Sequence, residues 1–241
     1  MSAFTEGHLL GGRVRYAQPA QGFRSGIEPV LLAAAIPARA RERVIEGGTG
    51  AGAALLCLAA RVPGVGGLGV EREEALAALA ARNAADNGFH GLGFMAAEIE
   101  RLPDVGLFDH ACANPPYHPP GGSASPHLAR ERAKRGEAGL LAAWAMALGA
   151  RLRPRGSLTL ILPAAEIETA LAALRAGGCG APAILPLWPR AGQAAKLMLV
   201  QGLRGAGGPA RLLAGLALHA ADGKFTEAAE AVLRGGGAID M

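Results

Sequence analysis

Two short runs hold the residues best suited to chemistry. The first is Glu46-Gly47-Gly48-Thr49-Gly50-Ala51-Gly52, between an apolar stretch and a helical one. Glycines let a chain turn sharply and approach a ligand closely. The next apolar stretch ends at Glu71, where a carboxylate can accept hydrogen bonds from both hydroxyls of a ribose. Two cofactors fit this spacing. Residues 48–53 satisfy the G-x-G-x-x-A pattern of a nicotinamide dinucleotide site. Glu46, Gly48, Gly50 and Gly52 also satisfy E-x-G-x-G-x-G, the pattern of S-adenosylmethionine sites. An acidic residue at the head of the turn attracts a cation and repels a pyrophosphate, which favours the sulfonium compound. The bland alternative is a tight strand-to-helix turn that holds nothing.

The second run is Asn114-Pro115-Pro116-Tyr117. Its bland reading is a rigid turn with an incidental tyrosine. At average composition this tetrapeptide arises by chance in roughly one such chain in a thousand. The chemical reading is specific. The nitrogen of an adenine amine or a primary amide is planar and a poor nucleophile, because its lone pair is delocalised. The Asn114 side-chain oxygen and the Pro115 carbonyl can accept its two N–H bonds. The prolines fix the direction of that carbonyl, and Tyr117 offers a face on which a flat substrate stacks, worth roughly 1–3 kcal/mol for a base. Catalysis is then mostly positioning.

The elements that must hold these runs alternate. Apolar strands are expected near 43–46, 66–71, 91–99, 107–113, 156–163, 181–188 and 194–203, with helices between most of them. "GIEPVLLAAAIPA" predicts a short helix closed by Pro37, and Gly88 and Thr226 predict a helix end and a helix start. This order predicts an α/β fold: a Rossmann-like, doubly wound, mostly parallel seven-stranded sheet. The last two strands, joined by a short connection, must be antiparallel. Residues 1–40 form a lead-in, 41–202 the catalytic core and 203–241 a C-terminal extension of one domain.

In this order the glycine turn, Glu71 and "NPPY" resemble the class I S-adenosylmethionine-dependent methyltransferases that modify planar nitrogens. The lead-in "LLGGRVRYAQPAQGFRSGIEPVLLAAAIP" is similar to that of the bacterial valine-tRNA adenine-N6 methyltransferase family. The resemblance covers the chain to about Gly202. It implies a role for Arg24 in closing over the cofactor. It implies that Glu46, Gly48, Gly50 and Gly52 line the methionine and adenosine portions, and that Glu71 binds the ribose. Glu98 falls where the family has an aspartate near the adenine, and Asn114 and Tyr117 would orient and stack the target base. Gly47 departs from the aliphatic residue usual in the family.

"HLARERAKRGEAG" follows the second run. Arg130, Arg132, Lys134 and Arg135 are candidates for phosphate contacts to an RNA substrate; an exposed loop of compositional arginines is the plainer alternative. Arg13, Arg15, Arg151, Arg153 and Arg155 are candidates to extend that surface. The chain lacks the extra hundred or so residues of a sequence-reading DNA methyltransferase, so structured RNA, with tRNA first, is the expected partner.

The bulk composition excludes several classes. The 241 residues are 51% hydrophobic and only 4% aromatic, with a formal charge of +4. That charge permits an anionic partner without requiring one. Cys57, Cys112 and Cys179 are far apart, so neither a disulfide framework nor a zinc site is expected. No apolar run is long enough to span a bilayer, and a cytoplasmic enzyme is the expectation. The competing readings are a protein glutamine-N5 methyltransferase, a small-molecule methyltransferase, a nicotinamide oxidoreductase, and a non-catalytic binder of the same fold.

Overall fold

The computed structural model describes residues 4–21, 25–115 and 139–241. Its centre is one twisted sheet. The strands are β3 (Arg43–Gly47), β4 (Gly66–Glu71), β5 (Leu92–Ala96), β6 (Phe108–Ala113), β7 (Leu152–Pro163), β8 (Cys179–Arg190) and β9 (Leu197–Arg204), in the spatial order β8-β9-β7-β6-β3-β4-β5. β9 runs antiparallel to both β7 and β8, and the other neighbours among these seven are parallel. These are the seven strands expected from the sequence, with the expected antiparallel member. The sheet itself has nine strands. Two short pieces of the C-terminal extension, β10 (Arg211–Leu212) and β11 (Leu216–His219), lie in line along the free edge of β8. Each is too short to show a period in the sequence.

Helices cover both faces. On one face lie α1 (Glu28–Ala35), α2 (Ala53–Arg61), α3 (Glu74–Asp86) and α6 (Glu227–Leu233), around Leu31, Leu55, Leu58 and Val232. On the other lie α4 (residues 139–150) and α5 (Ile167–Ala176), around Phe108, Leu148, Leu160 and Leu174. The strands between are continuous apolar runs because both their faces are covered. Gly88 follows α3 at φ +71°, and the Thr226 hydroxyl accepts the Ala229 N–H at the start of α6.

The lead-in departs from expectation, since it opens with a hairpin, β1 (Phe4–Leu9) and β2 (Val14–Pro19). β2 docks on α3 through side-chain amides. Buried Asn83 accepts the Ala17 N–H and donates to the carbonyls of Ala17 and Ala51. Asn87 accepts the Arg15 N–H and donates to the Arg15 carbonyl. The hairpin thereby lies against Ala51, inside the glycine turn.

Candidate active site

The strand order reverses between β3 and β6: β4 and β5 extend the sheet to one side, β7 and its neighbours to the other. Ligands of open α/β sheets sit beyond the carboxyl ends of the strands at such a switch point. Both runs singled out in the sequence end there. Gly47 pairs with Ala113 of β6 on one side and Val70 of β4 on the other. Gly48 is therefore flanked by Asn114 and Glu71.

The turn after β3 is built by its glycines. Gly48, Gly50 and Gly52 have φ of +66°, +56° and +89°, a region costly to any residue with a Cβ. A Cβ added at Gly50 would meet nothing within 4 Å, so this part of the turn faces open space. Glu71 braces it. One carboxylate oxygen accepts the Gly50 N–H at 2.9 Å, and the other accepts the Glu73 N–H at 3.1 Å. Each oxygen keeps a lone pair for a further donor.

Glu46 is 3% exposed and accepts the Thr49 hydroxyl at 2.6 Å. Burial pushes its carboxyl up to about 7. The Thr49 hydroxyl and the Leu55 N–H oppose that shift, and the nearby Glu71 charge adds to it. Burial also raises the Tyr16 phenol; its hydrogen bond to Ser25 works against this and the Glu46 charge adds to it. Burial pushes Cys57 up to about 12, helped by Glu46. Cys57 and Cys112 are buried and inert as thiols, as expected of small apolar fillers.

Asn114 is half-buried and Pro115 buried at the end of β6. Pro116, Tyr117, His118 and His127, the basic candidates Arg130, Arg132, Lys134 and Arg135, and Arg24 of the lead-in lie outside the described residues. Glu98 lies beside Glu71, because the Ala97 N–H donates to the Glu71 carbonyl, but its exposed side chain pairs with Arg101 at 3.3 Å. Three of the arginines expected to widen an RNA surface, Arg13, Arg151 and Arg153, are tied to other parts of the chain. Arg151 donates to the carbonyls of Leu102 and Pro103, and Arg153 pairs with Asp109. Asp109 lies at the opposite, amino end of β6. Arg13 is tied to the Gly235 carbonyl. Chain geometry made these side chains structural: each satisfies carbonyls or carboxylates of nearby loops.

His110 is also structural, bonded to Ser157 at 2.8 Å and Glu42 at 3.0 Å. Trp144, in the alanine-rich α4, is half-buried and reaches the glycine turn; its indole N–H donates to Glu100 at 3.1 Å. Thr49, Tyr16 and Asn83 are further supports of the site that sequence reasoning missed. Among the described residues no group of His, Cys, Asp or Glu is placed to hold a metal ion, and no helix is long and apolar enough to cross a membrane.

No family model and no curated protein matches the sequence. Solved structures do. A predicted O-methyltransferase, Atu636 of Agrobacterium tumefaciens, superposes with a TM-score of 0.71 at 25% identity, over 89% of this chain and 99% of that one. The T. thermophilus 16S rRNA N2 G1207 methyltransferase RsmC, solved with AdoMet and guanosine, gives 0.56 at 18% identity, over 83% of this chain. The chain spans only 50% of RsmC's length. A precorrin-6y C5,15-methyltransferase of Geobacter metallireducens gives 0.54 at 12% identity, over 78% of this chain and 94% of that one. The chain therefore has the Rossmann-like α/β fold of the class I methyltransferases.

Proposed function

We propose that the protein is an S-adenosylmethionine-dependent N-methyltransferase acting on the exocyclic N6 amine of an adenine in RNA, with tRNA as the first candidate. One observation carries this reading. The acidic, glycine-lined turn and the Asn114-Pro115 segment leave the carboxyl edge of adjacent strands side by side, Gly47 paired with Ala113. The residues present fit the cofactor. The open space at Gly50 admits its backbone-proximal atoms, Glu71 keeps acceptors for a ribose diol, and buried Glu46 supplies a negative charge for its ammonium group.

When bound, the cofactor supplies an electrophilic methyl carbon on sulfur. The chain's own residues do the rest. Asn114 and the Pro115 carbonyl accept the two N–H bonds of the planar amine and hold its nitrogen in line with that carbon. Tyr117 stacks the base. The new N–C bond would replace the S–C bond, with S-adenosylhomocysteine leaving, and the amine's proton would then pass to water, so no strong general base is required. The basic run Arg130 to Arg135 contacts phosphate. RsmC, a protein of this fold, acts on an exocyclic amine of an RNA base, which supports the substrate class.

The test incubates total tRNA and rRNA from a methylation-deficient host with labelled cofactor and identifies the product nucleoside by mass spectrometry. N6-methyladenosine is expected. In a parallel incubation with total protein, label on glutamine points to the glutamine reading; cofactor binding without transfer to either pool points to the binder. Asn114→Ala is expected to abolish transfer while cofactor binding is largely retained; activity surviving in that variant refutes the role of Asn114.

A further inference from the structure

The face of Trp144 that meets the glycine turn has a use beyond packing. A Cβ built on Gly48 would stand 2.7 Å from Trp144 Cη2 and 3.0 Å from Cζ3, so the benzo edge of the indole rests on the Gly48 backbone. The other end of the ring system points elsewhere. Its N–H donates to Glu100, an exposed residue in the short helical turn Ile99–Arg101. That turn follows β5, the neighbour of the strand that carries Glu71. The indole thus runs from the turn toward the β4–β5 side of the carboxyl edge. Beneath it, Ile99 and Leu148 already fill the space against Gly47. Trp144 itself stays half-buried. A flat, polarisable ring held at both ends beside a ribose-binding carboxylate suits a flat purine.

We infer that Trp144 is a positioning residue for the cofactor: its indole, pinned between Gly48 and Glu100, forms the aromatic wall of the adenosine half of the site. This rests on the cofactor reading above. It also gives Gly48 a second reason to lack a side chain, since the ring occupies the place a Cβ would take.

The chain has two tryptophans, and Trp188 lies far off on β8, against Gly215. Trp188→Phe therefore leaves Trp144 as the sole indole reporter. Titrating that variant with S-adenosylhomocysteine should change its emission, with a midpoint equal to the calorimetric Kd. Trp144→Leu should raise the Kd about tenfold or more, Trp144→Phe and Glu100→Ala only a few-fold, a grading that a purely structural tryptophan would not produce. Should Trp144→Leu fail to fold, Glu100→Ala and the emission change still decide. Calorimetric binding to Trp188→Phe without any emission change, or wild-type affinity in Trp144→Leu, overturns the wall and leaves the cofactor reading standing. No binding by the wild-type protein overturns both.

Discussion

Replacing Glu46 by Gln should stabilise the free protein at alkaline pH and weaken its hold on the cofactor. The carboxyl is fully enclosed, and burial lifts it from its ordinary 4.5 to about 7. Below pH 4.5 both folded and unfolded chains carry the proton and nothing is lost. Between 4.5 and 7 the folded chain keeps a proton that the unfolded chain releases, so stability falls as pH rises. Above 7 the loss is complete. At 1.36 kcal/mol per pH unit the gap corresponds to about 3 kcal/mol. Glutamine accepts the Thr49 hydroxyl equally well but never ionises. Urea denaturation of both proteins at pH 5, 6, 7 and 8 should give curves that diverge by about 2.5 kcal/mol across the range, whatever the constant offset of the amide. Calorimetry at pH 8 should show S-adenosylhomocysteine bound roughly 10–100-fold more weakly by the variant, the loss of one charge-assisted contact. Parallel stability curves would refute the buried acid. Divergent curves with equal affinities would refute its role as partner of a cationic ligand.

The glycine turn gives a contrasting pair. Gly48→Ala should cost about 2–4 kcal/mol and loosen cofactor binding, since the new Cβ meets Trp144 at 2.7 Å at a φ of +66°. Gly47→Ala should change stability by no more than about 1 kcal/mol, because its Cβ would stand 3.4 Å from Ile99 and Leu148; denaturant midpoints distinguish the two. Asn83→Ala should cost about 3 kcal/mol or more, since it removes three hydrogen bonds and leaves Ala17 and Ala51 backbone groups without them; amide exchange should rise first in β2.

Sequence reading reached the parts of the molecule that depend on local order. The seven central strands announce themselves as short, largely apolar stretches between turn signals, and the glycine turn, Glu71 and Asn114 sit at fixed distances from them. The hairpin did not, because β1 is largely exposed and so has no alternation to read, and β2 is held by asparagines 66 and 72 residues away. Trp144 lies one turn from Leu141 and Leu148, on the side of α4 that faces the core. A tryptophan in so alanine-rich a helix reads as core rather than as part of a site. Its contact with Gly48 depends on helix direction: α4 runs against the strands, so its first turns stand at the carboxyl edge. The raised carboxyl of Glu46 was equally hidden, since its neighbours come from the turn, α2 and the hairpin together: Thr49, Leu55 and Tyr16.

The tie between Arg13 and the Gly235 carbonyl spans 222 residues, and the Ile239 N–H reaches the Ala34 carbonyl of α1. The two extremities of the described chain thus fasten to one another over the same helical layer. Such a clasp cannot shut until α6 has been synthesised, whereas β3 to β5 pair with one another through residues 43–96 alone. During synthesis the nascent chain would hold a half-formed cradle whose hairpin gains this fastening only after α6 has emerged, an order of events that favours slow, late consolidation.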